Sequence, residues 1–286
     1  MVVFTTTTHH DTYPGIQKTR HKGHVVLITG ASRGIGLAIA CSFAQAGASA
    51  IAISARSSLD AAESSIRSAA KSAGGHETVP TILKLALDVS DETSVTEAVA
   101  KVDRQFGRVD ILINNAGFVE PWVPLGQSKP ADWWQTWEIN FKGVYLVSRS
   151  FLPLVLKSES CKTIVNVSSS GALVVIPRAS SYLTSKFALL RFTEFLAAEY
   201  AEQGIVTFAV HPGGVWTEMT RRATKNVPLT LNETPALAGD TLSWLTQEPR
   251  PWLNGRYVSV VWDMQELLAR KDEILQEDKL KMRLFL

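Results

Sequence analysis

Tyr182 and Lys186 stand four residues apart in a stretch of helical composition, so their side chains share one helix face. A phenol with its ordinary pKa of about 10 is a proton donor at neutral pH. An ammonium group beside it favours the phenolate, lowering that pKa and easing proton release to a developing alkoxide. Tyr-x-x-x-Lys is also a common surface pairing, so its surroundings decide its meaning. Just upstream, Ser168, Ser169 and Ser170 close an apolar run and offer three hydroxyls to a substrate oxygen.

Those residues need a scaffold, and His24 to Gly36 supplies its start. His24 to Thr29 is a continuous apolar, β-branched run, as expected of a strand buried on both faces of a parallel sheet. Gly30, Gly34 and Gly36 follow within seven residues, and Leu37 to Ala46 continues as a helix. Strand, tight glycine turn and helix in that order form half of a dinucleotide site, because the turn lets backbone approach a pyrophosphate at a helix start. The next strand, Ala50 to Ser54, runs into Ala55, Arg56 and Ser57. An acid there would accept from a ribose 2′-OH, whereas Arg56 suits a 2′-phosphate, and Arg33 in the glycine turn can approach the same group.

Helix and strand patterns then alternate. Leu59 to Ser72 reads as a helix before a Gly74-Gly75 break, Thr81 to Leu87 as a strand ending at Asp88 and Val89, and Asp91 to Phe106 as a helix. Val109 to Ile113 is a strand that runs into Asn114, Asn115, Ala116 and Gly117. Pro130 to Lys157 reads as one long helix carrying Trp133, Trp134, Trp137 and Asn140, with the tryptophans assigned to core or subunit interface. Lys162 to Val167, Ile205 to Val210 and Arg256 to Val261 are further strands, with helices at Ser180 to Gln203 and Thr234 to Leu245. This alternation predicts an α/β fold of the Rossmann type, a doubly wound parallel sheet of about seven strands with helices on both faces. Ligands then belong at the C-terminal strand ends, where Gly30, Arg56, Asp88 and Asn115 sit. Residues 24–286 read as a single domain, with a substrate lid over about 215–234 and a charged C-terminal helix over about 264–280.

Residues 1–23 differ: four threonines, then His9, His10 and basic residues, without the apolar core of a secretory signal. This segment reads as a flexible polar arm, poorly ordered or lying along the surface, and its two histidines as solvated side chains, so no metal is expected. The net charge of +2 gives no reason to expect nucleic acid or an anionic membrane as partner. No apolar run approaches the roughly 20 residues of a membrane span. Cys41 and Cys161 have no metal-ligand spacing and read as reduced thiols, which points to the cytoplasm.

Taken jointly, five motifs resemble the short-chain dehydrogenase/reductase family in its single-domain form. They are Thr29-Gly-x-x-x-Gly34-x-Gly36, Asn114-Asn-Ala-Gly117, Asn140, Ser169 with Tyr182-x-x-x-Lys186, and Pro212-Gly-Gly-Val215-x-Thr217. The family's usual interval from serine to tyrosine is 13 residues, which selects Ser169 from its neighbours. The resemblance implies a tetrad of Asn140, Ser169, Tyr182 and Lys186. In it Tyr182 is the acid/base, Ser169 the donor to the carbonyl, Lys186 the holder of the nicotinamide ribose, and Asn140 the anchor of a water chain. It also sets Gly30, Ser32, Arg33, Gly34, Ile35 and Gly36 against the cofactor, with Asp88 and Val89 near the adenine. Asn115, Ala116 and Gly117 lie beside the cofactor, and Pro212, Gly213, Val215 and Thr217 at its carboxamide end. After residue 217 the pattern weakens, and the final segment resembles fungal members, many of them in secondary metabolism.

The expected activity is therefore NADP(H)-dependent reduction of a carbonyl to an alcohol, reversibly, on a small hydrophobic or aromatic molecule. Trp216 and Met219 on the lid, with Phe118, Val119 and Trp122 after the asparagine turn, suit such a substrate. Alternatives are the same pocket coupling reduction to dehydration, isomerisation or cyclisation, or a nucleotide-binding regulator without turnover. A homodimer or homotetramer is expected through the two long helices.

Overall fold

Strand β1 (Val25–Thr29) is buried at all five positions, and it sits in the middle of the sheet because its apolar side chains can be covered on both faces. The computed structural model describes residues 3–72, 79–223 and 231–284. The other strands are β2 (Ala50–Ala55), β3 (Thr81–Ala86), β4 (Ile111–Asn114), β5 (Thr163–Val167), β6 (Val206–His211) and β7 (Arg256–Ser259). They pair in the order β3-β2-β1-β4-β5-β6-β7, every pairing parallel. The strand order reverses between β1 and β4, which opens a crevice at their C-terminal ends. This is the expected Rossmann-type sheet with helices on its faces.

Two apolar cores flank the sheet. On one face Ile28, Ile53 and Val165 pack with Phe43 of α2 (Gly34–Gln45) and Leu242 of α9 (Pro235–Thr246). On the other, Leu27, Leu112 and Ile164 pack with Val102 of α4 (Glu92–Phe106) and Phe151. Asp91 caps α4, its side chain accepting from Ser94 N–H at 2.6 Å. The helices Asp60–Ser72 (α3) and Ser180–Tyr200 (α7) match their expected spans closely.

Three expectations need correction. The long helix over 130–157 is not uniform: α5 (Pro130–Trp137) passes through a π-helical turn, Glu138–Lys142, into α6 (Gly143–Leu156). That turn holds Asn140, whose bonds to Phe118 outweigh the regular helical register. The C-terminal helix is two short ones, α10 (Met264–Ala269) and α11 (Lys271–Gln276), and it ends before residue 280. The chain bends at Arg270, whose guanidinium lies over the Phe4 ring, 3.7 Å from its centroid, and pairs with Glu273.

The third correction is the arm. It contains a short helix, α1 (Pro14–Gln17), and it packs on the body with Ile16 and His21 fully buried. His9 bonds Asp263 at 2.9 Å and stacks on Tyr13, whose hydroxyl accepts from Met264 N–H. Its sparse apolar residues act as anchors, and Thr5, His9 and Thr12 bond fixed partners, while Thr6, Thr7 and Thr8 stay exposed. Of the lid, α8 (Glu218–Ala223) is helical, so residues 215–234 are not irregular throughout. Residues 224–230 of the lid, and Gly74-Gly75, lie outside the described residues. Among the described residues no helix is long and apolar enough to cross a membrane.

Candidate active site

The glycine turn after β1 is locked to the asparagine turn after β4. Thr29 Oγ1 accepts the N–H groups of Asn115 and Ala116, each at 3.0 Å, and Asn115 Nδ2 donates to Thr29 O at 2.8 Å. Gly30 adopts φ +68°, and a Cβ there would meet Ala116 Cα at 2.8 Å. One on Gly36 would lie 2.4 Å from Gly30 O, so only glycine permits this close packing of strand, turn and helix. Ser32, Arg33, Gly34 and Ile35 complete the wall.

From this turn a cavity of about 840 Å³ runs along the strand ends. At one extremity stand Ala55, Arg56, Asp88 and Val89, with Arg56 Nη1 3.7 Å from Asp88 Oδ2. Partial burial works against ionisation of Asp88, but hydrogen bonds from Ser90 and the Arg56 charge hold its carboxyl below the usual carboxylate range. Arg33 is turned elsewhere, to Glu218 of α8 at 2.6 Å, so the lid helix is tied to the glycine turn.

Past Asn115, Ala116 and Gly117 the cavity reaches Ser169, Tyr182 and Lys186. Lys186 is 4% exposed and donates from Nζ to Val167 O at 2.9 Å, and burial pushes its pKa down to about 8. Tyr182 is pushed up to about 12 by burial, against a hydrogen bond with Ser169 that works the other way. The expected lowering by the lysine is therefore absent from this geometry. Lys186 Nζ lies 5.8 Å from the ring centroid and is committed to Val167, so desolvation outweighs the ammonium. All three serines line the cavity, but Ser168 is buried and its hydroxyl is committed to Lys186 O at 2.8 Å, whereas Ser169 bonds Tyr182.

Asn140 does not line the cavity. It lies fully buried behind Gly117, accepting from Phe118 N–H at 2.8 Å and donating to Phe118 O at 2.9 Å and to Ser185 Oγ at 3.1 Å. Pro212, Gly213, Val215 and Thr217 also line the cavity, as do the apolar Phe118, Val119, Trp122, Trp216 and Met219. The cavity therefore joins polar groups at the strand ends to several large apolar side chains.

His211 and Glu233 also line it and were not among the expected site residues. His211 is buried, its Nδ1 lacks a partner among the described residues, and burial pushes its pKa down to about 4. Glu233 accepts from Gly214 N–H at 2.6 Å. Nothing in the local sequence signals these roles, since each is one polar residue in a mixed loop. Among the described residues no three His, Cys, Asp or Glu side chains gather as a metal set.

Comparison with known proteins agrees with this architecture. The profile described as short chain dehydrogenase matches residues 24–228, and the chain belongs to that family. It is 54% identical to the short chain dehydrogenase citE of Monascus ruber over 98% of this chain and 95% of the relative. To andI of Emericella variicolor it is 45% identical, again over 98% and 95%. The solved structure of levodione reductase superposes with a TM-score of 0.73 at 26% identity, covering 85% of this chain and 98% of that one. The protein is thus an oxidoreductase of a family that binds nicotinamide cofactors and acts on small molecules, with fungal relatives as its resemblance implied.

The residues present fit a nicotinamide dinucleotide. The close-packed glycine turn leaves backbone at the middle of the cavity, Arg56 stands at one end, and a buried lysine with a tyrosine stands at the other. Such a cofactor supplies or accepts a hydride when bound.

Proposed function

We propose that the protein is an NADP(H)-dependent carbonyl reductase acting on a bulky hydrophobic or aromatic ketone or aldehyde. The observation that carries this reading is the arrangement of one cavity, with Arg56 at one end and Ser169, Tyr182 and Lys186 at the other. Arg56 would pair with the 2′-phosphate. Ser169 and Tyr182 would hold the carbonyl oxygen, and Tyr182, kept protonated by its surroundings, would give its proton to the oxygen as negative charge develops. Lys186 would hold the ribose hydroxyls at the nicotinamide end. Asn140 would fix the Gly117–Phe118 turn and anchor the water chain that returns protons to Lys186. In the oxidative direction the same tyrosine would act as base.

The apolar lining contributed by Phe118, Val119, Trp122, Trp216 and Met219 supports the substrate class. Exposed aromatic residues on α5 and α7 support pairing into a homodimer, and two free thiols suit the cytoplasm. The test follows NADPH and NADH consumption over a panel of ketones. Turnover of aromatic ketones with NADPH preferred is expected, and turnover confined to small charged keto acids, or an equal rate with NADH, would overturn it.

A further inference from the structure

Glu233 ties three distant segments together at the cavity wall. Its side chain is 3% exposed, and both carboxylate oxygens are committed. Oε2 accepts from Gly214 N–H at 2.6 Å, and Oε1 lies 2.8 Å from Nδ1 of His10 in the N-terminal arm. Backbone bonds double each tie: Glu233 N–H donates to Gly214 O at 3.3 Å, and Thr234 N–H donates to His10 O at 2.9 Å. Thr234 also donates from Oγ1 to Asp11 Oδ1 at 2.6 Å. A buried carboxylate is tolerated only when charge-assisted bonds replace its water, and here those bonds come from the arm and from the loop after β6.

That loop contains Pro212, Gly213, Val215 and Thr217, the residues assigned above to the nicotinamide end. We propose that Glu233, held by His10, is a positioning residue that fixes this loop for the nicotinamide half of the cofactor. The inference rests on the NADPH reading of the site. Because both oxygens bond other parts of the fold, Glu233 acts on the loop through Gly214. The arm becomes part of the site's framework through His10, whose side chain is 58% exposed and so reaches the carboxylate from outside.

The test compares two probes by protein fluorescence titration: NADPH, and 2′-phospho-ADP-ribose, which lacks the nicotinamide. Glu233→Ala is expected to weaken NADPH about tenfold, the loss of a charged hydrogen bond, while the fragment binds within about twofold of the parent. His10→Ala should shift NADPH in the same direction by about threefold, as suits a half-exposed pair. Glu233→Gln should recover NADPH affinity, since its amide oxygen can still accept from Gly214 N–H. A general structural role would weaken both probes alike, and that result overturns the proposal, as does unchanged NADPH affinity in both alanine variants. If Glu233→Ala does not fold, the same comparison on His10→Ala decides. Failure of the underlying NADPH reading looks different, because the parent would then bind neither probe, and the proposal falls with it.

Discussion

Asn140 grips the backbone of Phe118 on both sides, accepting its N–H at 2.8 Å and donating to its carbonyl at 2.9 Å. The pair clamps the turn from Gly117 to Phe118 against the π-helical turn that carries Asn140. Asn140→Ala leaves two buried backbone groups without this partner. A stability loss of about 2–4 kcal/mol is expected from urea denaturation, with a fall in turnover larger than the fall in cofactor affinity. Unchanged stability would show that water replaces the clamp.

Tyr182→Phe removes one hydroxyl and keeps the ring, so packing and NADPH affinity should persist. Turnover should fall about 10²–10⁴-fold, the usual worth of positioned acid catalysis. Lys186→Ala should lose both rate and affinity, and Ser169→Ala mainly rate. Activity of Tyr182→Phe within a fewfold of the parent would reject the assigned acid.

Arg56→Ala tests the adenosine end. Arg56 pairs with Asp88 at 3.7 Å and its side chain is 63% exposed, so its guanidinium can reach a phosphate. A charge-assisted contact of this kind contributes about 1.5–3 kcal/mol, so the dissociation constant for NADPH should rise at least about tenfold. That for NADH should change little. Equal losses for both cofactors would assign Arg56 to something other than the 2′-phosphate.

His211 predicts acid lability. Burial pushes its pKa from 6.5 down to about 4. The unfolded chain therefore takes up a proton below pH 6.5 that the folded chain refuses until about 4. The stability contribution is complete above pH 6.5 and is lost as pH falls through that window, at up to about 1.4 kcal/mol per pH unit. In His211→Leu the slope of stability against pH should flatten between 6.5 and 4. A parallel curve for parent and variant would remove His211 from this account, leaving His21 and His24, both also pushed down by burial, as histidines acting in this range.

Trp134 and Phe195 are 60% and 58% exposed on α5 and α7. Large apolar groups at such positions suit a self-complementary interface. Trp134→Glu combined with Phe195→Glu should convert a dimer into a monomer by light scattering. A monomeric parent at micromolar concentration would contradict the dimer.

The sheet was legible because its strands are runs such as Val25–Thr29 and Ile111–Asn114, whose residues have no stable place outside a two-sided core. The spacing of Tyr182 and Lys186 predicted that they share a face, and the helix delivers both to one cavity. Their electrostatics could not be read that way. Spacing reveals a neighbouring charge but not the loss of water around Tyr182, which decides the direction of its pKa. The π-helical turn was equally hidden, since it is imposed by Phe118, some twenty residues upstream, on a segment of continuous helical composition. The arm misled through its composition. Threonines and histidines suggest solvent until Asp263, Glu266 and Glu233 are brought to meet them.

The arm also fixes an order of assembly. Residues 5–13 bond to residues 261–266 through His9 N–H to Val261 O, Asp263 N–H to Thr5 Oγ1 and Met264 N–H to the Tyr13 hydroxyl. On the ribosome the arm must therefore wait for a segment synthesised much later. The strands from β1 to β6 can pair while the chain is still emerging, but these bonds close only once residues beyond 260 are free. A nascent chain stalled before Glu233 would lack the His10 tie as well, and would hold the glycine turn and the tyrosine helix with one wall of the cavity still unbraced.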